Sequence, residues 1–160
     1  MSERGSTIVL GVVPGQPAEV LEQAAELALA LDAQLICAAV DDSRYTIDRQ
    51  VDGRISSLPI DPDLVEDEAG EFDAELYAQL ATVLQDRGVR WSVRALAGGA
   101  AAELAWLADV LGARMIVVGS RAGGWRGAAR ELFNGSVAAQ LAHQQHRPVM
   151  VIPRRTGDVQ

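Results

Sequence analysis

The chain has 160 residues, 49% of them apolar, and a formal net charge of -8 at pH 7. Its length suits one domain with a substantial core, its apolar runs fall short of the ~20 residues that a membrane helix needs, and its acidity disfavours general nucleic-acid binding. All 14 basic residues are arginine, which excludes a lysine-dependent phosphate loop and Schiff-base catalysis. We expect one domain over residues 1–160, with neither a membrane nor a nucleic acid as a partner.

Runs of apolar and β-branched residues alternate with segments of helical periodicity along most of the chain. This alternation is typical of right-handed crossovers between parallel strands, and it predicts a doubly wound α/β domain with helices on both faces of a mainly parallel sheet. The predicted strands are 7–13, 34–40, 90–96, 114–118 and 148–153, and the predicted helices are 17–32, 64–87, a segment around 104–111 that Gly112 ends, and 135–145.

Between the second strand and the second helix, residues 41–63 show no sustained period and contain many acids. Gly53, Pro59 and Pro62 interrupt the segment, so we expect a long acidic loop. One interpretation is that this loop lies over a ligand cleft.

The amino terminus and the cysteine content indicate the compartment. MSERGST has no basic segment followed by an apolar one, so no signal peptide is visible and a cytoplasmic location is expected. Cys37 is the lone cysteine and cannot form an internal disulfide. In a predicted strand, it is expected to be a small core residue.

Charge is unevenly distributed along the chain. Residues 1–86 hold 18 acids and 4 arginines, a formal charge of -14, whereas residues 87–160 hold 4 acids and 10 arginines, a formal charge of +6. A local positive field in the second part would attract a small anion, although an uneven, solvated surface is an alternative.

The segment that follows the predicted fourth strand, residues 119–136, is rich in glycine and arginine and reads GSRAGGWRGAARELFNGS. Ligands of doubly wound sheets bind beyond the carboxyl ends of the strands, where the strand order reverses. Glycine lets the backbone approach phosphate oxygens, and the start of the next helix adds N–H donors. The segment therefore predicts a site for an anion.

The blocks VVGSR and NGSVAAQLAHQQHRPVMVIP, in a chain with five strands in this order, resemble the universal stress protein family. IVLGV in the first strand and AGGAAAELAWLADVLGARMIVVGS across the third helix and fourth strand extend the resemblance over residues 6–153. It implies a Rossmann-like, adenine-nucleotide alpha hydrolase-like fold with the strand order 3-2-1-4-5. It also implies a homodimer formed through the last strand, Val149 to Pro153, because VMVIP would otherwise be an exposed apolar edge.

Family members with nucleotide activity bind ATP through a signature of glycine, two residues, glycine, nine residues, and glycine followed by Ser or Thr. Gly119 matches the first glycine, and Gly135 with Ser136 matches the last pair. The resemblance therefore implies binding of ATP or AMP, with magnesium only as a companion of the nucleotide, at the ends of the first and fourth strands. The residues predicted to bind the nucleotide are Val12, Val13, Ala39, Val40, Val118, Gly119, Arg121, Ala122, Arg126, Gly135, Ser136 and Val137.

The chain departs from the family pattern at two places. Ala122 occupies the position of the second glycine, and 15 residues separate Gly119 from Gly135, three more than the signature has. Val13 occupies the position of an aspartate that contacts the nucleoside. Loss of one buried hydrogen bond lowers affinity by roughly ten- to a hundredfold, so these departures favour an alternative in which nucleotide binding has been lost.

Several residues of the basic segment have two interpretations. Arg121, Arg126 and Arg130 donate charge-assisted hydrogen bonds to a phosphate, or they form a solvated arginine face. Ser136 binds the phosphate or caps the last helix, where Asn134 competes for the capping role. Trp125 covers a base or a partner surface, or packs within its own segment.

No catalytic residue is predicted. The chain has no Gly-x-Ser-x-Gly elbow, and Glu131 is the single acid of the basic segment, too few to hold a metal for hydrolysis. His143 and His146 are three residues apart, but no thiol or carboxylate cluster beside them completes a metal site.

Three functions therefore compete. The first is a small regulatory stress protein that binds ATP, AMP, cAMP or another phosphorylated metabolite. The second is a dimeric stress protein that acts through protein contacts without a nucleotide. The third, a weak ATPase, has the least support, and we expect the protein not to be an enzyme.

Overall fold

The computed structural model describes residues 5–63, 71–120 and 136–153, with the side chain of Ser136 left out. Within these ranges the chain forms seven strands and four helices, which alternate except that β2, β3 and β4 follow one another. The strands are β1 (Ser6–Gly11), β2 (Ala33–Asp41), β3 (Arg44–Arg49), β4 (Ile55–Pro59), β5 (Trp91–Ala97), β6 (Met115–Gly119) and β7 (Val149–Ile152). The helices are α1 (Ala18–Ala30), α2 (Ala74–Leu84), α3 (Ala100–Leu111) and α4 (Ser136–Gln144).

Five of these strands form one parallel sheet in the order β5-β2-β1-β6-β7. Counted over the five strands that the sequence predicted, this is the order 3-2-1-4-5, so the predicted doubly wound fold is confirmed. The central strand β1 pairs with β2 on one side and with β6 on the other. The order of the strands reverses at β1: β2 and β5 are added on one side of it, and β6 and β7 on the other. In doubly wound sheets, a crevice lies at the carboxyl ends of the two strands where the order reverses, here β1 and β6.

Each face of the sheet buries its own cluster of apolar side chains, because alternate residues of a strand point to opposite faces. Ile8, Leu10 and Val12 of the first strand region pack with α1 and α2. Val9 and Val13 belong to the second cluster, which α3 and α4 cover. The helices therefore lie on both faces, as the alternating pattern predicted.

The expected loop at 41–63 is wrong, because this segment contains the antiparallel hairpin β3–β4. The inner side of the hairpin is polar: Arg44 is 6% exposed and donates from Nε to Ser57 Oγ at 2.8 Å. The outer side carries exposed apolar side chains, namely Tyr45, Ile47, Leu58 and Ile60. A bulge shifts the register between Thr46 and Asp48, and Gly53 and Pro59 bound two short strands, so no sustained period was visible in this segment.

The second helix also begins later than expected. Residues 71–73 are not helical, and the carboxylate of Asp73 accepts a hydrogen bond from the backbone N–H of Leu76 at 3.1 Å. This capping interaction fixes the first turn at Ala74, because it satisfies an N–H group that has no partner within the helix. The earlier part of the predicted helix, residues 64–70, lies outside the described residues.

No helix in the described parts of the chain is both long enough and apolar enough to cross a membrane.

Candidate functional site

The carboxyl ends of β2, β1 and β6 lie side by side at the same end of the parallel sheet. Gly11 pairs with Ala38, and the next residue, Val12, donates its N–H to the carbonyl oxygen of Ala38 at 2.9 Å. On the other side, Leu10 pairs with Val117. This register brings Val12 and Val13 next to the ends of both neighbouring strands, where the sequence predicted the site.

The floor of this site is apolar. Val13, Val118 and Val137 are 5%, 2% and 4% exposed, and all three belong to the buried apolar cluster that α3 and α4 cover. Val12 faces the opposite side of the sheet, where Ala39 packs against the first cluster. The site can therefore offer a dry surface to one flat face of a ligand, and it buries Val13 where the family pattern has a carboxylate.

Gly119 ends β6 in a buried position and pairs with Ile152 of β7. The next residue, Ser120, donates its N–H to the carbonyl oxygen of Ile152 at 2.8 Å. The strand thus stays in the sheet up to the residue at which the basic segment begins. This anchoring gives the start of that segment a fixed position at the crevice.

The remaining predicted residues of the basic segment cannot be placed. Arg121, Ala122, Arg126 and Gly135 lie outside the described residues, as do Trp125, Arg130 and Asn134. The backbone of Ser136 begins α4, but its side chain is also outside the described part. The two interpretations of the arginines and of Ser136 therefore both stay predictions.

The turn after β1 supplies a polar group that the sequence did not single out. Gln16 is 9% exposed, and its Oε1 accepts a hydrogen bond from the backbone N–H of Val13 at 3.4 Å. Gly15 donates its N–H to Oε1 of Gln79 on α2 at 3.3 Å, which ties the turn to the helix below it. In the sequence, Gln16 is simply a polar residue between the Pro14-Gly15 turn and a helix. This position does not indicate that its side chain is buried.

The hairpin packs against β5 and contacts α3. Thr46 donates from Oγ1 to the carbonyl oxygen of Ala97 at 3.0 Å. Arg49 forms two hydrogen bonds with the carboxylate of Glu103, at 2.8 and 3.0 Å, and its guanidinium lies 4.2 Å from the ring centroid of Trp106. Planar two-point pairing of this kind holds an arginine firmly, so the hairpin is fixed against the start of α3.

Gly53 lies at the turn of the hairpin with φ +87°, and a β-carbon placed there would overlap Cδ1 of Leu107 on α3. The Nε of Arg94 donates to the carbonyl oxygen of Asp52 at 2.8 Å, next to this close approach. These contacts attach the hairpin to β5 and α3, and they do not support the interpretation that it covers the crevice between β1 and β6.

The described residues contain no group of three or more His, Cys, Asp or Glu side chains arranged to hold a metal. His143 and His146 are both exposed. Cys37 is fully buried in β2, and burial raises the pKa of its thiol to about 12. The thiol is therefore protonated at neutral pH and unreactive, in line with a core role.

A groove of about 610 Å³ lies between α1 and β7. Its walls include Glu19, Glu22 and Glu26, and its floor includes Met150 and Ile152. The carboxylates make it unsuitable for a phosphate, so the groove is not a candidate for the predicted anion site.

The comparison with known proteins agrees with the geometry. The model of the universal stress protein family matches residues 6–153, which confirms the resemblance seen in the sequence. No curated protein matches the sequence. The fold is similar to several solved structures, which at this level of identity establishes a shared fold.

A universal stress protein family member from Burkholderia pseudomallei is 23% identical with a TM-score of 0.63, and the match covers 96% of this chain and 100% of that one. A universal stress protein in complex with cAMP is 22% identical with a TM-score of 0.58, and the match covers 94% and 98%. The universal stress protein from Archaeoglobus fulgidus in complex with dAMP is 20% identical with a TM-score of 0.59, and the match covers 92% and 97%.

Proposed function

We propose that this protein, which belongs to the universal stress protein family, is a regulatory protein that binds an adenine nucleotide at the carboxyl ends of β1 and β6. The observation that carries the proposal is the crevice at the reversal of strand order, with an apolar floor of Val13, Val118 and Val137. A flat purine suits such a floor, since its ring faces gain from leaving water.

The phosphate end of the ligand is assigned to the segment that begins after Gly119. Ser120 is held to β7, so the chain leaves the sheet at the edge of the crevice. Arg121 and Arg126 follow within the same glycine-rich stretch. Two solved structures of similar fold contain cAMP and dAMP, which share an adenine and a phosphate, and this supports the choice of an adenine nucleotide.

The test is a calorimetric titration with AMP, ATP and cAMP, each with and without magnesium. We expect micromolar binding of at least one nucleotide, and roughly a hundredfold weaker binding when Arg121 and Arg126 are both replaced by alanine, because charge-assisted hydrogen bonds contribute about 1.5–3 kcal/mol each. Magnesium is proposed only as a companion of the phosphates.

The matched control replaces Arg154 and Arg155 with alanine, which changes the net charge by the same amount. It should bind as the unmodified protein does. Equal losses in both double variants would mean that overall charge, and not the segment, determines binding. Within the described residues no group of three or more His, Cys, Asp or Glu side chains is arranged to hold a hydrolytic metal. We therefore also propose that the protein is not an enzyme, and the same samples should release phosphate from ATP at the background rate.

A second candidate function is a stress protein that acts through protein contacts. Two observations favour it: Val13 replaces the aspartate of the family pattern, and the outer face of the hairpin exposes Tyr45 at 48%, Ile47 at 54% and Ile60 at 61%. Exposed apolar groups so close together are typical of contact surfaces. Absence of heat for all three nucleotides would favour this function over the first.

We further propose that the protein is a homodimer joined through β7. This strand lies at the edge of the sheet, and Met150 and Val151 are 40% and 45% exposed. The carbonyl oxygens of Pro148 and Ile152 accept hydrogen bonds from β6, so the alternate residues Val149 and Val151 direct their backbone groups away from the sheet. A second copy can pair with these groups and cover the apolar edge.

Light scattering at micromolar concentration should therefore give twice the chain mass of 17.0 kDa. Val151→Lys should yield a monomer, since a charged side chain on an edge strand opposes pairing. Val51→Lys is the matched control, because Val51 is 88% exposed in the hairpin at the other side of the sheet, and this variant should remain dimeric. A monomeric mass for the unmodified protein would refute the dimer.

A further inference from the structure

The buried amide of Gln16 has an unusual position. This residue follows the Pro14-Gly15 turn, and its backbone N–H donates to the carbonyl oxygen of Val13 at 3.3 Å. Its side chain also returns to the same residue, because Oε1 accepts the N–H of Val13 at 3.4 Å. The side chain thus folds back onto the carboxyl end of β1, directly beside the crevice.

The hydrogen bond to Val13 determines which way the amide faces. The backbone N–H of Val13 is a donor, so the atom next to it must be the oxygen, and the nitrogen Nε2 must be the other end. Nε2 is buried and has no hydrogen-bond partner among the described residues. No described residue therefore uses its two N–H donors, while the acceptor oxygen is occupied.

A buried amide nitrogen without a partner is rare, because it loses its bonds to water and gains nothing in exchange. The surroundings do not compensate for it: Val13, with which the side chain is bonded, belongs to the same apolar cluster as Val118 and Val137. The buried N–H groups of Nε2 would gain a hydrogen bond if a bound ligand placed an acceptor atom next to them.

We propose that Gln16 is a specificity-determining residue that donates a hydrogen bond from Nε2 to an acceptor of the bound nucleoside. The inference rests on the proposed function, since it assigns a role within the same crevice. Because only donors are free on this amide, the matching group is a purine ring nitrogen or a ribose oxygen. Gln16 would thereby supply a polar contact on the strand end where Val13 has none.

The experiment compares AMP binding by the unmodified protein with that of three variants. Gln16→Met keeps the length of the side chain without its donors, and Gln16→Glu keeps the acceptor for Val13 but replaces the amide nitrogen with oxygen. The matched control is Gln34→Met: Nε2 of Gln34 donates to Oγ1 of Thr7 at 3.0 Å, at the opposite ends of β1 and β2.

Both Gln16 variants are expected to bind AMP at least tenfold more weakly, whereas Gln34→Met should stay within twofold of the unmodified protein. Titration with 2′-deoxy-AMP narrows the choice of acceptor: the tenfold effect of Gln16→Met should vanish with this ligand if the acceptor is the 2′-hydroxyl, and persist if it is on the base or is another ribose oxygen.

The thermal midpoint of the free protein separates this role from a purely structural one. Gln16→Met removes one long hydrogen bond and one unsatisfied donor group together, so its midpoint should stay within about 2 °C, whereas Gln34→Met loses a satisfied bond and should melt lower. A lower midpoint with unchanged AMP affinity for Gln16→Met would overturn the inference and leave the proposed function intact. Absence of binding by the unmodified protein to AMP, ATP and cAMP alike would overturn both.

Discussion

Replacing Leu104 with alanine is expected to lower the free energy of unfolding by about 3–5 kcal/mol. Leu104 lies on α3 with 0% exposure, and it is among the largest fully buried side chains. A β-carbon placed on Gly11 would lie 3.3 Å from Cδ1 of Leu104 and 3.4 Å from Cγ1 of Val118. The Leu104 side chain therefore packs against the backbone of β1 next to β6. The paired strands of the sheet cannot shift to fill the cavity that the shorter alanine side chain would leave.

Urea unfolding followed by circular dichroism measures this loss. Leu29→Ala removes the same atoms from a side chain that is 48% exposed on α1, and it should cost less than about 1 kcal/mol. Leu104→Met, which nearly conserves volume, should cost less than about 1.5 kcal/mol. A loss for Leu104→Ala no greater than that for Leu29→Ala would mean that α3 does not pack on β1 as described.

Alkaline pH is expected to destabilise the protein through Cys37. Burial raises the pKa of this thiol from 9.0 to about 12 in the folded protein. Between these values the unfolded chain loses the thiol proton while the folded protein keeps it, so the stabilisation present below pH 9 is lost as the pH rises. The expected slope is about 1.4 kcal/mol per pH unit, or roughly 2 kcal/mol between pH 9 and 10.5.

This effect can be isolated because the chain has no lysine and only two tyrosines, Tyr45 and Tyr77, so few other groups titrate in the same range. Both tyrosines are about half exposed. Cys37→Ala is the control: its free energy of unfolding should change far less between pH 9 and 10.5, whatever its value at neutral pH. Identical pH dependence in the two proteins would contradict a buried, protonated thiol.

The sheet could be predicted from the sequence because its strands are short apolar runs buried on both faces. β1 and β2 read as continuous apolar segments, and Gly112, with φ +62°, ends α3 as predicted, whereas α2 ends at Leu84, before Gly88. The order of the strands came from the family resemblance, and parallel pairing in that order is what the structure has. Local patterns and the overall fold agree here, which is why the prediction succeeded.

The hairpin was not predicted, because its strands are only 6 and 5 residues long and a bulge between Thr46 and Asp48 breaks their regular pairing. Arg44 and Ser57 satisfy each other inside, and Arg49 pairs with Glu103, which is distant in sequence. Neither pairing is visible before the chain is folded. Glu103 itself reads as an ordinary first-turn acid of a helix, although it is only 7% exposed.

The candidate site was predictable in part. Val12, Val13, Val118 and Val137 were assigned to strand ends and a helix start, and the structure has them there, whereas the inward fold of Gln16 depends on a turn geometry that sequence patterns do not specify. The arginines of the basic segment lie outside the described residues, so their contact with a phosphate stays a prediction.

The most direct test of the nucleotide site is a titration of ¹⁵N-labelled protein with AMP, followed by backbone amide chemical shifts. The account predicts that the largest changes occur at Val13, Val40 and Gly119 and in residues 121–137, while β3 and β7 remain nearly unchanged. Absence of shifts at millimolar AMP, or shifts confined to the hairpin or to the groove between α1 and β7, would contradict it.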